Sequence, residues 1–216
     1  MTFDQVLGRT PIVAIIRGVT PDEACDTAGA LYEGGVRIVE VPLNSPDPLE
    51  SLKRINKHFG DRMIVGVGTV LNVDKVNAAA AAGARIIVSP STRADVVRCT
   101  VKFGMTPLPG FATATEAFEA YEAGARFLKL FPASTYGPSH LRALMAVLPK
   151  DATVLAVGGV GPSAMAEWWK AGARGFGLGS EIYKAGQSPA ETLEKARVAV
   201  AAVRELAPQA ADAVTA

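Results

Sequence analysis

The chain has 216 residues, 49% of them hydrophobic and 20% charged, with a formal net charge of +1. That size and composition fit one sizeable core and exclude a disordered chain. The near-zero charge excludes a broad electrostatic footprint for nucleic acid or an anionic membrane, so any bound anion must be held by a local site.

The N-terminal residues 1–5 lack a charged start followed by an apolar core, so no signal peptide is expected. No apolar stretch is long enough to cross a bilayer. The two cysteines, Cys25 and Cys99, show neither metal-ligand spacing nor a disulfide framework, which points to a reducing cytoplasm and no metal. His58 and His140 flank no carboxylate or cysteine cluster and are expected at the surface.

The first apolar run, Ile12–Ile16, reads as a buried strand and leads into Arg17-Gly18. A helix is expected over Pro21–Tyr32, then a strand within Gly35–Pro42 and a helix over Pro48–Phe59. Met63–Gly68 reads as the third strand, Asn72–Ala82 as a helix, and Gly83–Pro90 as the fourth strand. The fifth run, Met105–Pro109, carries two prolines that remove ladder donors, which is awkward for a central strand. A helix over Ala114–Ala123 precedes the sixth strand, within Gly124–Phe131, and Thr153–Val157 forms the seventh. The eighth, Gly172–Gly179, is glycine-rich and weak on propensity. A helix over Pro189–Leu206 follows, and the tail from Ala207 to Asp212 is small, polar and expected to fray.

Four of these runs echo one another, opening on Gly35, Gly83, Gly124 and Gly172 at intervals of about 41 to 48 residues. Each starts with a glycine after a helical stretch, as a helix C-cap would, and continues as a short apolar strand. That interval suits two strand–helix units. Eight alternating units argue for an α/β chain folded as a single small (β/α)8 TIM barrel with few insertions, filling residues 1–216 as one domain. An open doubly wound sheet is the rival, but the dinucleotide glycine fingerprint is absent after the first strand.

Strand alternation then places the charges. Phe127 and Lys129 share one face of the sixth strand, and the leucines at 128 and 130 suit the helix layer, so Lys129 points into the barrel. By the same argument Glu40 points inward from the second strand while Val39 and Val41 point out. A buried lysine is pushed toward its neutral amine, which can attack a ketone to form a Schiff base. A structural ion pair is the alternative, although such pairs are poor stabilisers once desolvation is counted. Arg17 could hold a carboxylate or phosphate, or be a solvated loop residue. Thr69 could donate to a substrate oxygen or merely cap the next helix. Glycine turns at Gly158-Gly159 and Gly179-Ser180 follow the seventh and eighth strands, where barrels often bind phosphate, with a helix N-terminus adding favourable partial charge. The adjacent Trp168 and Trp169 cannot both face the core, so one is a surface anchor or a contact.

Together, Ile15-Ile16-Arg17-Gly18, Glu40-Val41-Pro42-Leu43-Asn44-Ser45-Pro46, Gly66-Val67-Gly68-Thr69-Val70-Leu71, Leu128-Lys129-Leu130-Phe131-Pro132 and Ala156-Val157-Gly158-Gly159-Val160 resemble the short-barrel class I aldolases that cleave 2-keto-3-deoxy-6-phospho sugar acids. The resemblance covers nearly the whole chain and is nearest to the galactonate branch, where an arginine at position 17 replaces one that follows the glutamate in the gluconate branch. Val157 stands where the gluconate branch has threonine, near the C4 hydroxyl at which the two substrates differ. Phe111 stands where a smaller residue is common, a difference expected to bear on substrate fit. The resemblance implies Lys129 as Schiff-base lysine, Glu40 as base, and Arg17 and Thr69 at the pyruvate end with Phe131 near the imine. It implies Val157 at C4, and Gly158, Gly159, Gly179 and Ser180 at the phosphate. It also implies no cofactor, a phosphorylated keto-acid substrate and a homotrimer. A phosphosugar isomerase using Glu40 as base, or a phosphometabolite-binding barrel, are the other readings.

Overall fold

A computed structural model describes residues 1–206; the expected frayed tail lies outside them. Nine short parallel strand segments form one sheet: β1 Ile12–Ile15, β2 Ile38–Pro42, β3 Ile64–Gly68, β4 Ile86–Val88, β5 Thr106–Leu108, β6 Gly110–Phe111, β7 Phe127–Leu130, β8 Thr153–Val157 and β9 Gly175–Leu178. Their order is β5-β4-β3-β2-β1-β9-β8-β7-β6. The two ends of that order are consecutive in sequence, so the sheet closes on itself: β5 and β6 are halves of one barrel position. Pro109 is the break between them, and its carbonyl accepts the Lys129 N–H at 2.9 Å. The fifth position thus tolerates its prolines by dividing, β5 pairing with β4 and β6 with β7.

Helices α2 Ala24–Glu33, α3 Pro48–Phe59, α4 Val73–Ala81, α5 Ala94–Lys102, α6 Ala114–Glu122, α7 Ala133–Met145, α8 Met165–Ala171 and α9 Pro189–Leu206 alternate with the strands. The four repeat glycines end helices as expected: Gly35, Gly83, Gly124 and Gly172 have φ of 98°, 87°, 110° and 117°, a region that costs a side chain dearly. One boundary moves inward. The helix expected from Pro21 begins at Ala24, because Glu23 folds back to accept the Thr20 N–H at 3.1 Å and hydroxyl at 2.8 Å in a turn of its own. In α7 the helical path breaks at Gly137 (φ 79°), just before Pro138.

The strand period of two divides the core into two layers. Outward residues such as Ile12, Ala14, Val39, Val41, Leu128, Leu130 and Phe176 pack under the helices. Inward residues Val13, Ile15, Ile38, Ile64, Ile86, Leu108, Leu155 and Val157 fill the barrel. The glycine-rich β9 makes sense here. A side chain at Gly175 would meet Leu155 at 2.8 Å and one at Gly177 would meet Val157 at 2.7 Å, so the inward glycines yield their space to β8.

A further helix, α1 Phe3–Arg9, precedes the first strand and has no counterpart among the expected elements. Thr2 caps it in a reciprocal box with Gln5. Its Phe3, Val6 and Leu7 enter the inner cluster, and Phe3 meets Phe127 edge-on at 4.7 Å between centroids. Phe127 starts the strand that carries Lys129 near its other end, so α1 plugs the bottom of the barrel and leaves the C-terminal mouth for chemistry. No helix among the described residues is long and apolar enough to cross a membrane.

Candidate functional site

Lys129 and Glu40 both point into the barrel, as alternation requires. Lys129 is 7% exposed and Glu40 2%. Lys129 stands between Gly110 and Leu155 on its neighbouring strands, and its Nζ lies 4.5 Å from the centre of the Phe131 ring. Glu40 stands between Ile15 and Gly66. Its carboxylate lies over Gly68, where an added Cβ would collide with it. Gly68 is thus a site residue that its place at the end of the third strand did not reveal: it is the space in which Glu40 lies. Glu40 Oε2 is buried without a hydrogen-bond partner.

These two groups share a field without a contact ion pair; among the described residues the ion pairs all lie elsewhere. Burial raises the Glu40 carboxyl from 4.5 to about 7, against the pull of Lys129 and Arg17 in the other direction. Burial likewise lowers the Lys129 ammonium, with Glu40 opposing and Arg17 adding to the effect. Both groups are therefore driven toward their uncharged forms, which for Lys129 is the nucleophilic one.

Lys129 opens onto a cavity of about 420 Å³ at the C-terminal ends of the strands. Arg17, Thr69, Val157, Gly158, Gly159, Gly179 and Ser180 line it. Every expected site residue but Glu40 therefore lines this cavity; Glu40 is buried and is not on its wall. Thr69 holds an uncommon φ of 60°. It does not cap the helix that follows, because Asn72 does so by accepting the Lys75 N–H at 3.0 Å.

Arg17 is exposed at the rim, yet its guanidinium donates to Asn44 Oδ1. The next residue, Gly18, donates its N–H to the buried Ser45 Oγ at 2.9 Å. The Leu43-Asn44-Ser45 segment after β2 therefore holds the loop after β1. Sequence reasoning marked that segment as different between branches but missed that it supports Arg17.

The turn after β8 keeps Gly158 and Gly159 at φ 96° and 71°. A Cβ at Gly159 would meet Ser134 Oγ at 2.6 Å, while Ser134 N–H donates to Gly158 O at 3.0 Å. The second turn differs from expectation. Only a single turn follows Gly179, with Ile182 and Tyr183 N–H donating to its carbonyl at 3.0 and 2.9 Å, so no helix N-terminus stands directly behind that turn. The Gly179 N–H is donated to Glu181 Oε2 at 3.1 Å. Glu181, Tyr183 and Lys184 also line the cavity. No periodicity marks them, since they lie in a loop.

Other expectations need correction. Phe111 does not meet the cavity: it belongs to the layer under the helices, paired in register with the outward Leu130, so its bulk is a packing matter. His140 is half-buried rather than superficial, lying 2.6 Å from the Ala112 carbonyl and stacked on Tyr136, whereas His58 is exposed. The tryptophans behave as expected: Trp168 is buried, whereas Trp169 is half-buried and packs against the core beneath the Arg174 guanidinium.

The family model described as "Aldolase: KDPG and KHG aldolase" matches residues 3–203. The chain is 49% identical over 197 residues to a 2-dehydro-3-deoxy-6-phosphogalactonate aldolase of Escherichia coli (strain K12), covering 91% of this chain and 96% of that one. It is 44% identical over 192 residues to a probable 2-dehydro-3-deoxy-6-phosphogalactonate aldolase of Rhizobium meliloti (strain 1021), covering 89% and 91%. A solved structure described as "Native KDPGal structure" superposes with a TM-score of 0.89 at 50% identity, covering 90% of this chain and 95% of that one.

Proposed function

This chain belongs to the KDPG and KHG aldolase family, and from that premise we propose that it is the class I aldolase that cleaves 2-dehydro-3-deoxy-6-phosphogalactonate to pyruvate and D-glyceraldehyde 3-phosphate. The observation that carries this reading is the buried amine of Lys129 on the wall of the cavity, driven toward its neutral form, with the buried Glu40 carboxyl within its electrostatic reach and one oxygen of it unpartnered. The reaction serves galactonate breakdown, as the names of the two relatives suggest.

In this reading the Lys129 Nζ attacks C2 of the keto acid, and loss of water gives an iminium that acts as an electron sink. Glu40 takes the proton of the C4 hydroxyl, directly or through water. The C3–C4 bond then breaks toward the iminium, releasing the aldehyde and leaving the enamine of pyruvate. Protonation at C3 and hydrolysis free pyruvate and restore the amine. A buried acceptor with a pKa near neutrality suits a group that must take a proton and give it back. The nearness of the Phe131 ring to Nζ supports its packing beside the imine.

Arg17, pinned by Asn44, and Thr69 hold the pyruvate carboxylate. Gly158, Gly159, Gly179 and Ser180 take the phosphoryl group through backbone amides and the serine hydroxyl. Val157 offers no hydroxyl to the C4 region, which supports the galactonate epimer over the gluconate one. Residues 1–216 form a single aldolase domain in this reading, cytoplasmic and trimeric. Phe103, Phe118 and Tyr136, exposed on the outer helices and loops, offer apolar surface for such an assembly.

The test is borohydride reduction in the presence of pyruvate. A stable mass adduct on Lys129 is expected, and its absence would sink the proposal; an isomerase that used only Glu40 would give none. Comparing cleavage of the two C4 epimers in a coupled assay then decides the substrate.

A further inference from the structure

Between the two glycine turns stands a carboxylate with no part in the chemistry above. Glu181 lies on the cavity wall, and its Oε2 accepts the Gly179 N–H at 3.1 Å. Its Cγ passes 3.9 Å from where a side chain on Gly161 would begin. The stem of Glu181 therefore passes near the turn after β8 while its head is bound to the turn after β9. An amide that serves Glu181 cannot at the same moment serve a phosphoryl oxygen, and two anions brought to one amide repel.

We propose that Glu181 is a built-in occupant of the phosphoryl cradle: its carboxylate holds the Gly179 amide in the free protein, and a phosphorylated ligand must displace it. This rests on the reading of the cavity as a phosphosugar-acid site. Three consequences follow from the geometry. The cradle is kept in one shape without ligand, because the amide is already paired. Small stray anions are opposed, because each must compete with a tethered carboxylate. A substrate whose keto-acid end is anchored at Lys129 and Arg17 meets that competition more easily, since its phosphate is delivered at high effective concentration. Lys184 also lines this cavity.

Two variants separate the parts of this idea. Glu181→Gln keeps an oxygen for the Gly179 N–H but loses the charge; Glu181→Ala loses both. Inorganic phosphate is titrated against the wild type and both variants by calorimetry. E181A is expected to bind it about fivefold tighter than the wild type, with E181Q between the two; the gap between wild type and E181Q should narrow in about 1 M salt, whereas that between E181Q and E181A should persist. Weaker phosphate binding by E181A would mean that Glu181 only braces the cradle, and equal affinities would mean that it does not compete; either overturns the proposal. Borohydride trapping with pyruvate on the same preparations keeps the failures apart. No adduct in the wild type defeats the aldolase reading, whereas an adduct with unmoved phosphate affinities defeats only the role of Glu181.

Discussion

Replacing Glu40 with glutamine should make the protein more stable and less active, with the stability gain confined to one pH range. In the unfolded chain this carboxyl ionises at its ordinary 4.5; in the barrel burial raises it to about 7. A folded value above the unfolded one means that the native state holds the proton longer, so native stability falls as pH rises from 4.5 through 7. Below 4.5 the side chain is neutral in both states and costs nothing. Above 7 it is charged in both, and folding bears about 3 kcal/mol for burying it. Glutamine has the same shape and no titration. It also removes the countercharge that favours the Lys129 ammonium, which offsets part of the gain. The expected net is about 1–3 kcal/mol in favour of E40Q at pH 8, shrinking to nothing by pH 4. Urea unfolding of both proteins across that range measures it. Cleavage should fall by roughly 10²- to 10⁴-fold, the usual contribution of a positioned base. An E40Q protein less stable than the wild type at pH 8 would refute the reasoning, because the carboxylate would then be stabilising through Lys129 rather than tolerated for chemistry.

Asn44→Ala frees the Arg17 guanidinium from its acceptor and should raise KM about five- to tenfold with kcat within about twofold. Arg17→Ala with Asn44→Ala should be no worse than Arg17→Ala alone in steady-state kinetics, since both act through one contact. Gly68→Ala pushes a methyl into the Glu40 carboxylate and should cost about 1–3 kcal/mol in thermal unfolding together with most of the cleavage rate.

How much of this was legible follows from which signals are periodic. Lys129 and Glu40 could be aimed from sequence because a strand has a period of two, and the leucines and valines beside them name the face that packs under helices. The repeat glycines were legible for a similarly local reason: each ends a helix at a positive φ. The plug helix α1 was not, because its seven residues are too few to display a pattern and its partners, such as Phe127, are distant in sequence. Asn44 and Ser45 escaped for the same reason. Their partners are Arg17 and Gly18, 27 residues away, and only the closure of β1 on β2 brings them together. Gly68 shows the limit most sharply. In sequence it is one of two glycines in the strand run Met63–Gly68, whereas in the barrel it is the space that lets a carboxylate lie buried with an oxygen unpaired. A charge placed so is costly to the fold, and α1 and the interdigitated β8 and β9 supply packing that offsets the cost. The sequence signals that name the fold and those that name the chemistry are therefore separate: the first lie in apolar alternation, the second in the few positions where alternation delivers a charge or a missing side chain to the inside.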